Sequence, residues 1–219
     1  YLDMDDIIRI AKRSGADAIH PGYGFLSENP AFAQLCADSG ITFIGPSTEI
    51  MRRLGNKVQA RALAIGADVP VMPATDPLPH DGEAITRLAA EIGYPLMLKA
   101  SWGGGGRGMR VIEDESNLLD QVAAARREAQ AAFGNDEVYL EKLVRNARHV
   151  EVQIIGDSHG QVVHLFERDC TVQRRHQKIV ERAPAPYLSE AERNQITSAA
   201  VRLAQSVNYC NAGTVEFLE

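Results

Sequence analysis

KASWGGGGRGMR, residues 99–110, is the stretch on which the fold reading turns. It gathers five of the 18 glycines and directly follows the apolar run YPLML, residues 94–98. Four glycines in succession leave backbone N–H groups bare and able to approach an anion closely. Lys99 before them, and Arg107 and Arg110 within and after them, add positive charge. Exposed amides flanked by cations are what a polyphosphate needs, so the stretch reads as a nucleotide-binding loop.

Context decides which kind. Gly103, Gly105 and Gly108 spell GxGxxG, but a dinucleotide site requires that loop to open a helix, and here the strand-like MRVI follows. A Walker A loop needs Lys and then Ser or Thr after the last glycine, whereas Met109 follows Gly108. Strand, glycine loop, strand is a flap over phosphates, as in protein kinases. The HRD and DFG motifs of kinases are absent, so the flap belongs to another scaffold. The bland alternative is a glycine turn with no ligand, but such a run is entropically costly to order as a plain connector.

With 219 residues, 45% hydrophobic and 24% charged, the chain has the length and composition of a soluble globular protein of one or two domains. A net charge of −6 offers no general attraction to nucleic acid or an anionic membrane. Cys36, Cys170 and Cys210 are scattered, with no CxxC pair, which argues against a zinc site or disulfide framework. They read as reduced thiols in a reducing, cytoplasmic compartment. No apolar run approaches the ~18 residues of a membrane span, and no signal peptide is visible. A start at Tyr1 and an end within a strand-like run lead us to expect a piece of a longer polypeptide.

Helix and strand signals alternate at first. A helix capped by Asp3 ends at Gly15, strands are expected over 16–19 and 41–44, and a helix runs between them over 31–38. This βαβ rhythm predicts a parallel pair with flanking helices. Helices follow over 47–54 and from Asn56, with Gln59 at capping-box spacing, to Ile65. Pro70, Pro73, Pro77 and Pro79 make residues 70–82 look like a linker. Beyond it we expect helix 83–92, strand 94–98, the glycine loop, strand 109–112, helix 116–133 and strand 138–144. Val150, Val152 and Ile154 then alternate with Glu151 and Gln153, which predicts a hairpin with one wet face. ERDCTVQRRHQKIVERAP, residues 167–184, reads as polar and irregular. Ser189 and Glu192 form a capping box for a last helix to about Val207.

Several of these stretches together resemble a known family. YPLMLKASWGGGGRG (94–108) looks like the glycine-rich signature of the carbamoyl-phosphate-synthase and biotin-carboxylase group of ATP-grasp enzymes. HPGYGFLSEN (20–29), EKLVRNARHVEVQIIGD (141–157), residues 167–184 and GTVEFL (213–218) continue the match in order. SWGGGGRGMR, DEVYLEKLV and ERAPAPYLSEA are similar to the bacterial pyruvate carboxylase branch more than to the free-standing subunit of acetyl-CoA carboxylase. The fold implied is α/β with α+β elements. It divides into part of a βαβ N-terminal domain (1–55), a linker helix region (56–72), a lid subdomain (73–144) and the start of a C-terminal antiparallel sheet domain (145–219).

The resemblance implies roles. Lys57 and Lys99 bind ATP phosphates, and Gly103, Gly104, Gly105, Gly106 and Gly108, with Met109 beside them, form the flap. For Lys99 the residues agree, because a lysine ending a buried strand must snorkel or find an anion. For Lys57 the residues alone favour a surface lysine, common just after a helix cap, and only the resemblance gives it a phosphate role. Glu141, Lys142 and Val144 match an adenine hinge, with Leu218 also in the nucleotide set; Glu141 also reads as an exposed strand residue. His149, Gln173 and His176 match ribose and phosphate contacts, though a lone histidine at a strand start is usually structural. Lys178 matches a bicarbonate ligand, set against a solvated charged face for residues 174–178; a nucleic-acid patch is excluded by the acidic balance and missing aromatics. Glu216 matches a Mg²⁺ (or Mn²⁺) ligand. Alternation in its strand points it with Thr214 and Leu218, close to the core unless a cation partners it.

The implied activity is that of a ligase: ATP- and bicarbonate-dependent carboxylation of protein-linked biotin through carboxyphosphate. Its partners would be a biotinyl carrier domain and a carboxyltransferase domain in a homo-oligomer, with no nucleic acid and no membrane. The family's E-x-N-x-R segment is not in this sequence, so residues 1–219 alone are expected to bind ATP without carboxylating free biotin. Two other readings stay open: a carbamoyl-phosphate synthase segment, which QRRHQK disfavours, and a non-catalytic nucleotide-binding module.

Overall fold

The computed structural model describes residues 1–102, 109–174 and 177–219. Three sheets, each with its own helices, account for the described residues. In the first unit, α1 (Met4–Ser14) is capped by Asp3, whose carboxylate accepts from the Asp6 amide. Asp5 and Asp6 in its first turn and Lys12 and Arg13 in its last complement the helix dipole. Strands β1 (Ala18–Ile19) and β2 (Thr42–Phe43) pair in parallel, Ala18 opposite Thr42, as the βαβ rhythm predicts. Asn29 caps α2 (Pro30–Asp38), which starts on a proline that needs no N–H partner there. Ile8, Ala11, Leu26, Phe32, Cys36 and Ile41 form the core of this unit. Helices α3 (Thr48–Gly55) and α4 (Lys57–Gly66) follow.

The second sheet has the order β4–β3–β5 and is antiparallel throughout: β3 is Leu96–Ala100, β4 Arg110–Ile112 and β5 Val138–Lys142. Leu96, Leu98, Ile112 and Leu140 are buried against Ile85 of α5 (Gly82–Ile92) and Leu118 and Val122 of α6 (Leu118–Phe133). The proline-rich segment is not a free linker. The Thr75 amide donates to Leu140 O (2.8 Å), the Leu78 amide to Val138 O (2.9 Å), and the Lys142 amide to Pro73 O (2.8 Å). Prolines are tolerated on a sheet edge because only some edge positions must donate. The segment therefore lies along β5 in place of a fourth strand.

The third sheet has the order β8–β7–β6–β9, again antiparallel, with β6 His149–Gly156, β7 Val162–Arg174, β8 Gln177–Arg182 and β9 Asn211–Leu218. Helix α7 (Glu190–Ser206) has the predicted capping box and covers one face, Ala200 and Ala204 packing on Val152, Ile154 and Val162. Buried Glu167 accepts from Arg193 Nε (2.9 and 3.0 Å) and the Ala185 amide (3.0 Å), clipping β7 to α7. Two expectations fail here. Most of residues 167–184 is not irregular but the long arms of β7 and β8. Nor is the face of β6 away from α7 uniformly wet, since Glu151 is only 5% exposed. The reason is common to both: the charges that read as a loop pair with one another across this sheet face.

The three units are fastened together by hydrogen bonds from Asn211 Nδ2 to Gly45 O (2.9 Å), Arg202 Nη2 to Asp68 O (3.1 Å) and the Lys57 amide to Ser101 O (2.9 Å). No helix among the described residues is long and apolar enough to cross a membrane. Gly156 closes β6 against the Tyr209 backbone, where an added Cβ would stand 2.0 Å from Tyr209 O. Backbone cannot yield as a side chain does. Gly156→Ala is therefore expected to cost about 1–3 kcal/mol in chemical denaturation; an unchanged midpoint would contradict this packing.

Candidate functional site

One charged cluster sits where α4 meets the second sheet. Asn56 is buried and caps α4, its side chain accepting from the Gln59 amide (2.9 Å). Asn56 also bridges to Trp102, and the Lys57 amide bonds Ser101, so the start of α4 is pinned beside the strand leading to the glycine loop. Lys57 Nζ donates to Ala100 O (3.4 Å). On β3, Lys99 stands opposite Tyr139, and Met97 opposite Glu141. These four share the face away from Leu96 and Leu98, and there Lys99 forms an ion pair with Glu141. Burial first, then repulsion from Lys99, pulls the Lys57 ammonium below the usual lysine range, while Glu141 opposes the shift. Two ammonium groups close enough to repel each other in a half-buried place favour a bound anion.

The next residues on β5 are tied differently. Lys142 Nζ donates to Gly93 O (2.8 Å) and Tyr94 O (2.9 Å), holding the carbonyls at the end of α5. Its amide is engaged by Pro73, so its side chain and amide both serve the frame. Val144 is exposed and Met109 half-buried. Gly103, Gly104, Gly105, Gly106, Gly108 and His176 lie outside the described residues.

A second cluster covers the third sheet on the face away from α7. Register sets Glu151 of β6 directly between Arg168 of β7 and Glu216 of β9. Two carboxylates side by side repel unless a cation intervenes. Lys178 of β8 supplies it, forming an ion pair with Glu151 and lying 3.7 Å from Glu216 Oε1. Arg168 donates to the other oxygen of Glu151 (2.6 Å). Burial is the largest influence on Glu151 and raises its pKa. The Lys178 hydrogen bond and charge, with Arg168, together outweigh it and hold the carboxyl below the usual range. For Lys178, burial lowers the pKa, but the bond to Glu151 and the charges of Glu216 and Glu151 win and raise it. The buried Cys170 thiol, 3.5 Å from Glu151 Oε2, is pushed up to about 11 by burial and by that carboxylate. It stays a neutral thiol.

His149 Nδ1 donates to Glu216 Oε1 (2.9 Å). Alternation holds, since Glu216 lies on the same face as Thr214 and Leu218, and the cation partner that its place requires is present. Val215 and Phe217 take the α7 side, and the Glu216 side chain is 45% exposed, held by His149 and Lys178. Gln173, opposite Lys178, donates to Cys170 O (3.1 Å), and Leu218, opposite His149, is exposed. The sheet thus brings Lys178, Glu216 and His149 together. Sequence reasoning missed Glu151 and Arg168; the available signal was a glutamate flanked by valines in a period-two strand, which demands cation partners once its face is covered. Among the described residues no three His, Cys, Asp or Glu side chains gather as a metal centre. One half-exposed carboxylate, Glu216, fits a divalent ion that takes its remaining ligands from water or a phosphate.

Residues 56–219 match the family described as carbamoyl-phosphate synthase L chain, ATP binding domain, and residues 1–51 match biotin carboxylase, N-terminal domain. Solved structures of several relatives cover the whole chain. Pyruvate carboxylase of Rhizobium etli is 64% identical with a TM-score of 0.92, the match taking up 19% of that chain. Biotin carboxylase of Campylobacter jejuni is 50% identical with a TM-score of 0.95, over 49% of its length. The biotin carboxylase domain of Hydrogenobacter thermophilus 2-oxoglutarate carboxylase, in complex with MgADP, ADP and bicarbonate, is 46% identical with a TM-score of 0.93, over 48% of its length. The chain spans about a fifth of the curated pyruvate carboxylases it matches, 19% of the Bacillus subtilis protein.

A carboxylate whose pKa is lowered by folding stabilises above its unfolded pKa, and that contribution disappears as pH falls through the folded value. Glu151→Gln is therefore expected to lose about 3 kcal/mol near neutrality. The gap to the unsubstituted protein should close below about pH 4. Urea titrations across pH check this; a gap independent of pH would contradict the charge role.

Proposed function

Because this chain belongs to the carbamoyl-phosphate synthase L chain ATP-binding family and is a biotin carboxylase domain, we propose that it serves the ATP- and bicarbonate-dependent carboxylation of protein-linked biotin, as the first half-reaction of a pyruvate carboxylase. The observation that carries the reading is Lys178, an ammonium held between Glu151 and Glu216 on an open sheet face.

Each group has a physical task. Lys57 and Lys99 hold nucleotide phosphates, and Lys99 exchanges its pairing with Glu141 for one with phosphate. Glu141, Lys142 and Val144 border the base, and Leu218 completes the nucleotide surface. Glu216 holds a Mg²⁺ or Mn²⁺ ion, which when bound offsets charge on the phosphates. Lys178 orients bicarbonate, whose negative charge must be brought beside those of the phosphates. His149 keeps Glu216 in place, and Gln173, Met109, Gly103, Gly104, Gly105, Gly106, Gly108 and His176 contribute to enclosing the nucleotide. Residues 1–55, 56–72, 73–144 and 145–219 correspond to N-terminal domain, linker helix, lid and C-terminal subdomain. The biotinyl and carboxyltransferase partners lie on other domains of a cytoplasmic homo-oligomer, and residues 1–219 by themselves bind ATP without completing the reaction. The 50% identity to a Campylobacter jejuni biotin carboxylase keeps a second reading, a free-standing biotin carboxylase subunit of an acyl-CoA carboxylase. The acceptor used by the full-length enzyme, pyruvate or an acyl-CoA, separates the two.

The site divides into separable parts. Lys99→Met should weaken nucleotide binding about tenfold or more, measured by calorimetry. Lys178→Met should lower bicarbonate-dependent ATP cleavage by about 100-fold in the full-length enzyme, with nucleotide affinity changed less than about threefold. Full activity in Lys178→Met would overturn the assignment.

A further inference from the structure

Arg168 is the one cation of the charged row to which the proposed chemistry gives no task. Its Nη2 donates to Glu151 Oε1 (2.6 Å), its Nη1 to Gln153 Oε1 (3.0 Å), and its Nε lies 3.4 Å from Glu181 Oε2. Gln153 is itself anchored, its Nε2 donating to Gly213 O of β9 (2.9 Å). The planar fork of β7 is thus held by two acceptors on β6 and, through Gln153, by β9, while its Nε makes no hydrogen bond and only approaches Glu181 of β8. A guanidinium presents its N–H groups in a rigid planar fork, whereas an ammonium is a compact charge on a flexible stem.

Two consequences follow for Lys178. Arg168 takes Oε1 of Glu151 and leaves Oε2 for Lys178, so the carboxylate cannot turn away from the lysine. Charge is the second. Lys178 faces both Glu151 and Glu216, and one ammonium between two carboxylates leaves a net negative trio that repels an anion. Arg168 cancels that excess. Glu181 opposes it weakly, because its half-exposed carboxylate is screened by solvent.

We propose that Arg168 is a positioning residue for anion binding: it fixes Glu151 and neutralises the surplus carboxylate, so that the charge and free N–H of Lys178 serve bicarbonate. The inference rests on the function proposed above. It makes the row Arg168–Glu151–Lys178–Glu216 a single device in which the outermost member never touches substrate.

The test uses Arg168→Gln and Arg168→Lys in the full-length enzyme, assayed as bicarbonate-dependent ATP cleavage. Arg168→Gln should raise KM for bicarbonate by about tenfold or more and KM for ATP by less than about threefold. Arg168→Lys, which keeps charge but not the fork, should fall between that variant and the unsubstituted enzyme. An unchanged KM for bicarbonate, or equal rises for both substrates, overturns the assignment. Should Arg168→Gln fail to fold, Arg168→Lys decides alone, and values equal to the unsubstituted enzyme overturn it. Lys178→Met in parallel separates the two readings. If it stays active, the functional reading fails. If it is inactive while Arg168→Gln behaves as the unsubstituted enzyme, only the role of Arg168 fails.

Discussion

Glu151 and Glu216 stand directly opposite each other on neighbouring strands, and the ammonium of Lys178 is what lets them do so. The register of β6 and β9 is not free to relieve the repulsion. A slip of one residue would turn Val150, Val152, Val215 and Phe217 away from α7 and expose them. The apolar face thus forces the carboxylates together on the other face, and their repulsion makes that face demand cations. Lys178 and Arg168 answer from β8 and β7. A structural requirement and an anion-binding surface are here the same set of side chains.

The remainder of the fold serves to keep that face in place and to set the nucleotide cluster beside its own sheet. Glu167, one residue before Arg168, points the opposite way and clips β7 to α7 through Arg193. Asn56 and Lys57 pin α4 to Ser101 and Trp102, while Lys142 fastens the end of β5 to the end of α5. These contacts fix the backbone on either side of the groups assigned to phosphate and base.

Legibility in the sequence followed locality. Asp3, Asn56 and the Ser189–Glu192 box cap the helices that their spacing predicts, because a cap needs only neighbours three or four residues away. Lys99, at the end of an apolar strand, was legible as a cation in need of an anion. Residues 167–184 were not legible as strands. Glu, Arg, Asp, Gln and Lys look like solvent-facing loop until the segment's two arms pair Arg168 with Glu181 and Arg182 with Asp169, and Glu151 of β6 joins them. Glu151 alternates with valines as a wet-face residue does, for the same reason, and the prolines of 70–82 hide the N–H groups of Thr75 and Leu78 that dock on β5. What escaped was in each case a partnership across the sheet, with no signature in either strand alone.

If Lys178 holds together two carboxylates that packing forces into contact, removing it should leave a repulsion that loss of either carboxylate relieves. The most direct measurement is the urea stability at pH 7 of Lys178→Met and of the double variant Lys178→Met/Glu216→Gln. The double variant is expected to be more stable than Lys178→Met. A double variant as unstable as Lys178→Met, or less stable, would contradict it.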